Sequence, residues 1–433
     1  MSNETVASGE RALSEADPRR IARFLREVGE IGQDPLGGSS RLAFGPEERT
    51  AHELFGCWAT DLGLKVRTDP VGNTFAELGG RKPGPYLMAG SHLDTVPQGG
   101  NFDGVVGVAV ALEVARMLSE SGGLEHPYRA VVFGGEEGPR FGAPCIGSRV
   151  ATGAFTVDTL HELVDRDGRS VSECASELGL RPERAAEAVW EPGSVAAFLE
   201  VHIEQGRVLE TRGRTVGVVD AIAGSTRLEL TFRGRADHSG ATPMPLRSDA
   251  LTGASEFVVE VERKAAALRT TVATVGQMEV RPGSFTTVPG MARLFLDVRD
   301  IDSEFQRELA EDLLDRAMRI AARRGLEVSA TLVSDQSPVV LHKPIREHLA
   351  QAAQRMGVSF CVLSSGASHD TAHVAKVAPA GMIFVPSREG ISHSAEEWSN
   401  VDDIATAAGV VAEALRSLDR QEKRNSELAK ERR

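Results

Sequence analysis

Four short segments hold histidines and carboxylates at spacings that suit metal chemistry. GSHLDTVPQGGNFDG at 90–104 carries His92, Asp94 and Asp103, and FGGEEGPRF at 133–141 carries Glu136 and Glu137. VHIEQG at 201–206 carries His202, and GISHSAEE at 390–397 carries His393. Imidazole and carboxylate donors suit Zn²⁺, Mn²⁺ or Co²⁺, whereas Mg²⁺ favours oxygen alone. Three histidines, an aspartate and a glutamate exceed the three protein ligands of a mononuclear catalytic zinc. An aspartate shared by two ions about 3.5–4 Å apart accounts for the number. Such a pair polarises a carbonyl and activates water. A further carboxylate must then carry the water's proton to the leaving nitrogen. Of the adjacent Glu136 and Glu137, one can ligate and the other can do this. Asp94, close behind His92, can hold its imidazole in one tautomer. Singly, each residue has an ordinary reading: a satisfied strand-end histidine, or a pair of glutamates in a solvated turn. It is their grouping that points to metal.

That grouping depends on the elements that carry it. PYLMAGSH at 85–92, YRAVVFGG at 128–135, FLEVHIE at 198–204 and AGMIFVP at 380–386 read as buried strands, and 105–120 as a buried helix. Such alternation predicts an α/β fold, a doubly wound, mostly parallel sheet covered by helices. Ligands of open parallel sheets bind beyond the carboxyl ends of the strands, where all these residues fall. Residues 158–195 read as a helical excursion. From about Thr215 the texture changes to strand, helix, strand, strand, helix, strand. The expectation is a discontinuous catalytic domain, 1–213 and 330–433, with an α+β domain inserted at 214–329.

The length of 433 residues suits two domains, and 41% hydrophobic with 26% charged residues is a globular balance. A net charge of −13 argues against nucleic acid or an anionic membrane as partner. The polar start, MSNETVASGERALSEADPRR, lacks the apolar run of a secretory signal, and no stretch reaches the ~20 apolar residues that span a bilayer. Four cysteines without a CxxC pair fit a reducing compartment, and a cytoplasmic protein is expected. Cys145 in GAPCIGS reads as a small buried side chain rather than a nucleophile. The polar tail from Leu418 reads as a frayed helix or a disordered end. GxxxxGK[ST], HExxH and GxSxG are all missing, so nucleotide hydrolysis, zincin and α/β-hydrolase chemistries lose support.

GSHLDTVPQGGNFDGVVGV, EEGPRF, IGSR, HIEQG and GISHSAEE in this order resemble the amidase/hydantoinase–carbamoylase family of binuclear metallohydrolases, which includes N-carbamoyl-L-amino-acid hydrolases and allantoate amidohydrolases. The likeness runs from SRLAFGPEE at 40–48 to SHSAEEWS. It implies two divalent ions held by His92, Asp103, Glu137, His202 and His393, with Asp103 bridging and Glu136 as general base. It implies substrate contacts from Gln205 and from Ser368 and His369 in SGASHD. His238 in ADHSGATPM would stabilise an oxyanion, and Arg299 in LDVRD would clamp a substrate carboxylate. The inserted domain would make a homodimer and act as a lid. The expected substrate is a small anionic N-carbamoyl or N-acyl compound. Allantoate hydrolysis, cleavage of another N-acyl amino acid, and a non-catalytic binding role on the same fold are the alternatives. Where the family has asparagine in a PNxxNVxPG-like segment, PGSFTTVPG at 282–290 puts Thr286, whose hydroxyl cannot replace an amide's separate donor and acceptor.

Overall fold

The computed structural model describes residues 12–431, with side chains described through Gln421. The first eleven residues of the polar start therefore lie outside the described residues, as do the side chains of the tail beyond Gln421. The tail's backbone continues the helix Val401–Glu431. Contacts group the described residues into two compact units: those up to Asp220 with 341–363 and those from Ser368 onward, and 221–340 with 364–367.

The first unit is a helix–sheet–helix sandwich. At the centre of its sheet, Tyr128–Phe133, Tyr86–His92, Val195–Ile203 and Ala380–Val385 lie side by side in that order, all parallel. Antiparallel pairings flank them: Thr74–Leu78 and then Lys65–Thr68 on one side, Val216–Ile222 on the other. The central strands are apolar on both faces, because both are covered. Leu87, Ala89, Ala130, Val132, Leu199 and Val201 turn towards one hydrophobic cluster, which includes residues of the helices Pro18–Gly29, Val105–Glu120, Lys343–Arg355 and Val401–Glu431. Met88, Val131, Phe133 and Phe198 turn towards another, with Ala151 and Val374. The segment 158–195 forms short helices, Val157–Glu162 and Val171–Glu177, and a 3₁₀ turn, Pro182–Ala188.

The second unit follows the expected order: Gly224–Arg233, helix Ala250–Ala265, Val272–Arg281, Met291–Asp300, helix Ser303–Arg324 and Glu327–Gln336. Its four-stranded antiparallel sheet is ordered Glu327–Gln336, Gly224–Arg233, Met291–Asp300, Val272–Arg281. Met291–Asp300 alternates strictly, with Ala292, Leu294, Leu296 and Val298 buried against both helices. The unit's bounds differ from 214–329. Val216–Ile222 pairs with Ala380–Val385 and so extends the large sheet, while the last strand runs on to Gln336.

Candidate metal centre

Parallel strands end on one edge of a sheet, and the side chains gather there. His92 is the last residue of its strand and His202 the penultimate residue of the neighbouring one. Glu136 and Glu137 follow Phe133 by a short turn, and His393 lies beyond Val385. Asp103 precedes the helix Val105–Glu120, and only glycine serves at Gly104 between them. Its φ is +67°, and a Cβ there would collide with the His92 ring.

Asp103 is central. Its Oδ1 is 3.0 Å from His202 Nε2 and 3.4 Å from His92 Nε2, and its Oδ2 is 3.5 Å from His393 Nε2. His393 Nε2 is also 3.5 Å from Glu137 Oε1. Two three-residue groups thus share one carboxylate: His92, Asp103 and His202, and Asp103, Glu137 and His393, each with ligand atoms within 4.8 Å of one another. His92 and His202 are 1% exposed, while the His393 side chain is 50% exposed, so one group is deep and the other faces solvent. Glu200, His202 and His369 form a third cluster, but both Glu200 oxygens are occupied, by Ser91 Oγ at 2.7 Å and by the N–H and hydroxyl of Thr371.

Neighbouring groups fix the rings. His92 Nδ1 lies 3.2 Å from the Asp94 carbonyl and 3.3 Å from Asp94 Oδ1, which turns Nε2 towards Asp103. His202 Nδ1 lies 3.0 Å from the Ile203 carbonyl, with the same result. Asp94 also anchors the paired glutamates, since Oδ1 accepts the Glu136 N–H at 3.0 Å and Oδ2 the Glu137 N–H at 2.8 Å. The buried Glu48 extends this, accepting the Gly135 N–H at 2.7 Å.

Glu397, in the same GISHSAEE segment, joins distant loops. Oε1 accepts the N–H groups of Phe102 and Asp103 at 2.8 and 2.9 Å. Oε2 accepts the Ser392 hydroxyl at 3.1 Å and the His393 N–H at 3.3 Å. Sequence reading passed over Glu397, Glu48 and Glu200. Only adjacency to His393 hinted at the first, and no local pattern marks the others.

Charge shapes the centre. Burial opposes a positive His202, yet the Asp103 carboxylate outweighs it and lifts the imidazole to about 9. Burial likewise opposes charge on Asp103, but His202 and His92 hold it well below the usual carboxylate range. Burial, with Asp94 adding, pushes Glu136 up to about 7 despite His92. Burial, Asp103 and Glu136 push Glu137 well up. Among the described residues no lysine or arginine pairs with Asp94, Asp103, Glu136, Glu137 or Glu397. The buried Arg41 donates to the carbonyls of Leu93, Val28 and Ile31 and acts on Asp94 and Glu397 only through its charge at longer range. Crowded, buried carboxylates beside Nε2-presenting imidazoles are a donor set that divalent cations fit.

The remaining expected site residues are placed variously. Gln205, with φ +56°, donates through Nε2 to Asp103 Oδ2 at 2.6 Å and to Ser392 Oγ at 3.2 Å. His369 is buried edge-on against His202, ring centroids 4.5 Å apart, rather than open to a substrate; Ser368, beside it, is half-buried. In the second unit, Thr287 pairs with His238 in a short ladder, and the exposed Thr286 accepts the Ser239 N–H at 2.9 Å. His238 Nδ1 accepts from Gly240 and Ala241, which leaves the ring proton on Nε2. Arg299 is occupied: Asp297 Oδ2 takes Nε and Nη2 at 3.2 and 2.8 Å, and the Gly366 carbonyl takes Nη1 at 2.7 Å.

Residues 88–417 match the profile of peptidase family M20/M25/M40. The N-carbamoyl-L-amino acid amidohydrolase of Geobacillus stearothermophilus is 39% identical over 90% of this chain and 96% of its own. The allantoate amidohydrolase of Escherichia coli is 32% identical over 92% and 97%. A solved amidase of the hydantoinase/carbamoylase family from Burkholderia multivorans, 36% identical, covers 93% of this chain and 98% of its own with a TM-score of 0.85.

Proposed function

Because the chain belongs to the peptidase M20/M25/M40 family, we propose that it is a divalent-metal-dependent amidohydrolase of linear amide and ureido C–N bonds, most specifically an N-carbamoyl-L-amino-acid hydrolase releasing amino acid, CO₂ and ammonia. The supporting observation is the pair of ligand groups sharing Asp103, with Glu136 beside them. On this reading His92, Asp103 and His202 would hold one ion and Asp103, Glu137 and His393 the other, with Asp103 shared. Two ions of Zn²⁺, Mn²⁺ or Co²⁺, when bound, supply Lewis acidity to the scissile carbonyl and to the attacking water.

Glu136 takes the water's proton and hands it to the leaving nitrogen. Its buried carboxyl turns Oε2 towards the ligand cluster, 3.8 Å from His92 Nε2, where a proton can be taken up and passed on. Asp94 holds the His92 ring and the backbone of both glutamates. His238 Nε2–H is the donor for the developing oxyanion, and Gln205 and Ser368 contact the substrate. Arg299 reads the substrate carboxylate through the second N–H of Nη1 and of Nη2, while Asp297 and the Gly366 carbonyl fix the guanidinium plane with the others. His369 acts through His202, whose ring it supports. Allantoate or another N-acyl amino acid is the second reading. It is favoured by the likeness to the E. coli allantoate enzyme and by Thr286 at the family's asparagine position. The four unpaired cysteines support a reducing, cytoplasmic setting. The test is ammonia release from N-carbamoyl-L-amino acids and allantoate, and release of the free amino acid from N-acetyl amino acids, after reconstitution with each metal. Turnover of none of them would reject the proposal, and turnover of allantoate or of the N-acetyl amino acids without the N-carbamoyl compounds would select the second reading.

A further inference from the structure

Hydrolysis as proposed leaves one buried thiol beside the base unused. Cys145 has no exposed surface and caps the short helix Ile146–Ala151 with φ 59° and ψ 40°. That left-handed conformation is costly for a residue with a Cβ and persists where its surroundings require it. What it achieves here is a double grip on Glu136. The Cys145 N–H donates to the Glu136 carbonyl at 2.8 Å, and Sγ lies 3.1 Å from Glu136 Oε1. The other carboxylate oxygen, Oε2, lies 3.8 Å from His92 Nε2 and so faces the ligand cluster.

A nucleophilic role does not suit this thiol. Burial, reinforced by the Glu136 and Asp370 carboxylates, pushes its pKa well up, so it stays S–H, and S–H donates. A role as apolar filler does not suit it either, since among the described residues it is the one hydrogen-bond donor to the Glu136 carboxylate.

We propose that Cys145 is a positioning residue for Glu136, its S–H holding Oε1 so that Oε2 stays turned to the metal ligands and the water between them. This rests on Glu136 being the general base. Small side chains of any kind can fill the space; only a donor can aim the carboxylate.

The experiment compares Cys145→Ala, Cys145→Ser and Glu136→Gln on an N-carbamoyl-L-amino acid or on allantoate, whichever wild type turns over, each with its metal content and Tm measured. Hydrogen bonds to charged groups are worth about 10- to 100-fold in an equilibrium, and a thiol is a weak donor, so Cys145→Ala should lose about tenfold in kcat. Its KM and metal content should stay unchanged. Cys145→Ser, which restores a donor, should recover to within about threefold of wild type. Wild-type kcat in Cys145→Ala while Glu136→Gln is inactive would overturn the inference and leave the base assignment standing. Equal losses in the Ala and Ser variants would overturn it in favour of packing. Retained activity in Glu136→Gln would remove the base assignment and the inference together. A second readout needs no Ala variant. The S–H stretching band that disappears in Cys145→Ser should lie at lower frequency in wild type than in Glu136→Gln; no difference between them would also overturn the inference.

Discussion

Asp103 touches both ligand groups at once, so its substitution has a signature that separates it from its neighbours. Asp103→Asn should cost metal from both sites, and metal analysis of the dialysed variant should find clearly less than the wild-type content. Unchanged content at full rate would rule out a shared carboxylate. The adjacent glutamates should part company. Glu136→Gln should keep its metal yet fall by ~10²–10⁴-fold in kcat, the usual worth of general acid–base help. Glu137→Gln should mainly lose metal, because Glu137 Oε1 meets His393 in the solvent-facing group. An exchange of these two phenotypes would reverse the roles. His92, His202 and Asp103 were legible in the sequence because each stands at the end of a strand or beside a helix start; the paired glutamates and His393 lie in the loops that follow strands and were legible through their segments, FGGEEGPRF and GISHSAEE. Glu397 and Glu48 were not, since what ties them to the centre is backbone amides that only the fold brings within reach, those of Phe102 and Asp103 for Glu397 and of Gly135 for Glu48. Cys145 was legible as buried, but its contact with Glu136 depends on a left-handed backbone that no pattern announces.

Elements whose apolar runs are long and buried on both faces, such as Tyr86–His92 and Val105–Glu120, follow directly from the sequence. The half-exposed Lys65–Thr68 does not, because four mixed residues carry no periodicity. Val216–Ile222 reads as more of the alternating texture that follows it. Only its pairing with Ala380–Val385 assigns it to the large sheet. Two short helices near the centre illustrate how stability and pH are linked at this scale. Arg149 of Ile146–Ala151 donates through Nε to Nε2 of His373, in Asp370–Val374, at 3.2 Å. Burial, with Arg149 adding, depresses His373 to about 3, so the native ring is neutral, while an unfolded histidine titrates near 6.5. Stability from this group is therefore full above about pH 6.5 and is lost towards pH 3, by about 1.4 kcal/mol per unit. Denaturant titrations between pH 7 and pH 5 should show this slope flattened in His373→Gln. An equal slope in both proteins would remove His373 as the cause.

At the scale of the whole molecule, the second unit carries an unfinished sheet. Its outer strands, Val272–Arg281 and Glu327–Gln336, leave Val272, Leu332 and Val333 more than half exposed, at 56%, 58% and 56%. Open edges of this kind invite pairing with another chain, and a homodimer through this unit is the expected form. Sedimentation at micromolar concentration should give twice the chain mass of 46.3 kDa, and a single-chain mass would reject it. No described helix is long and apolar enough to cross a membrane. The order of strands in the large sheet also has a consequence for how the protein is made. Ala380–Val385, the last of these strands to leave the ribosome, fills the slot between Val195–Ile203 and Val216–Ile222. Until it arrives, a nascent chain displays two raw edges where the sheet should have its middle, and chaperones rather than partners should find them first. Synthesis stalled before residue 380 should thus yield chains that proteases clear and that bind metal poorly, lacking His393 as well. A protease-resistant, metal-binding stalled chain would show that the sheet can close without its last strand.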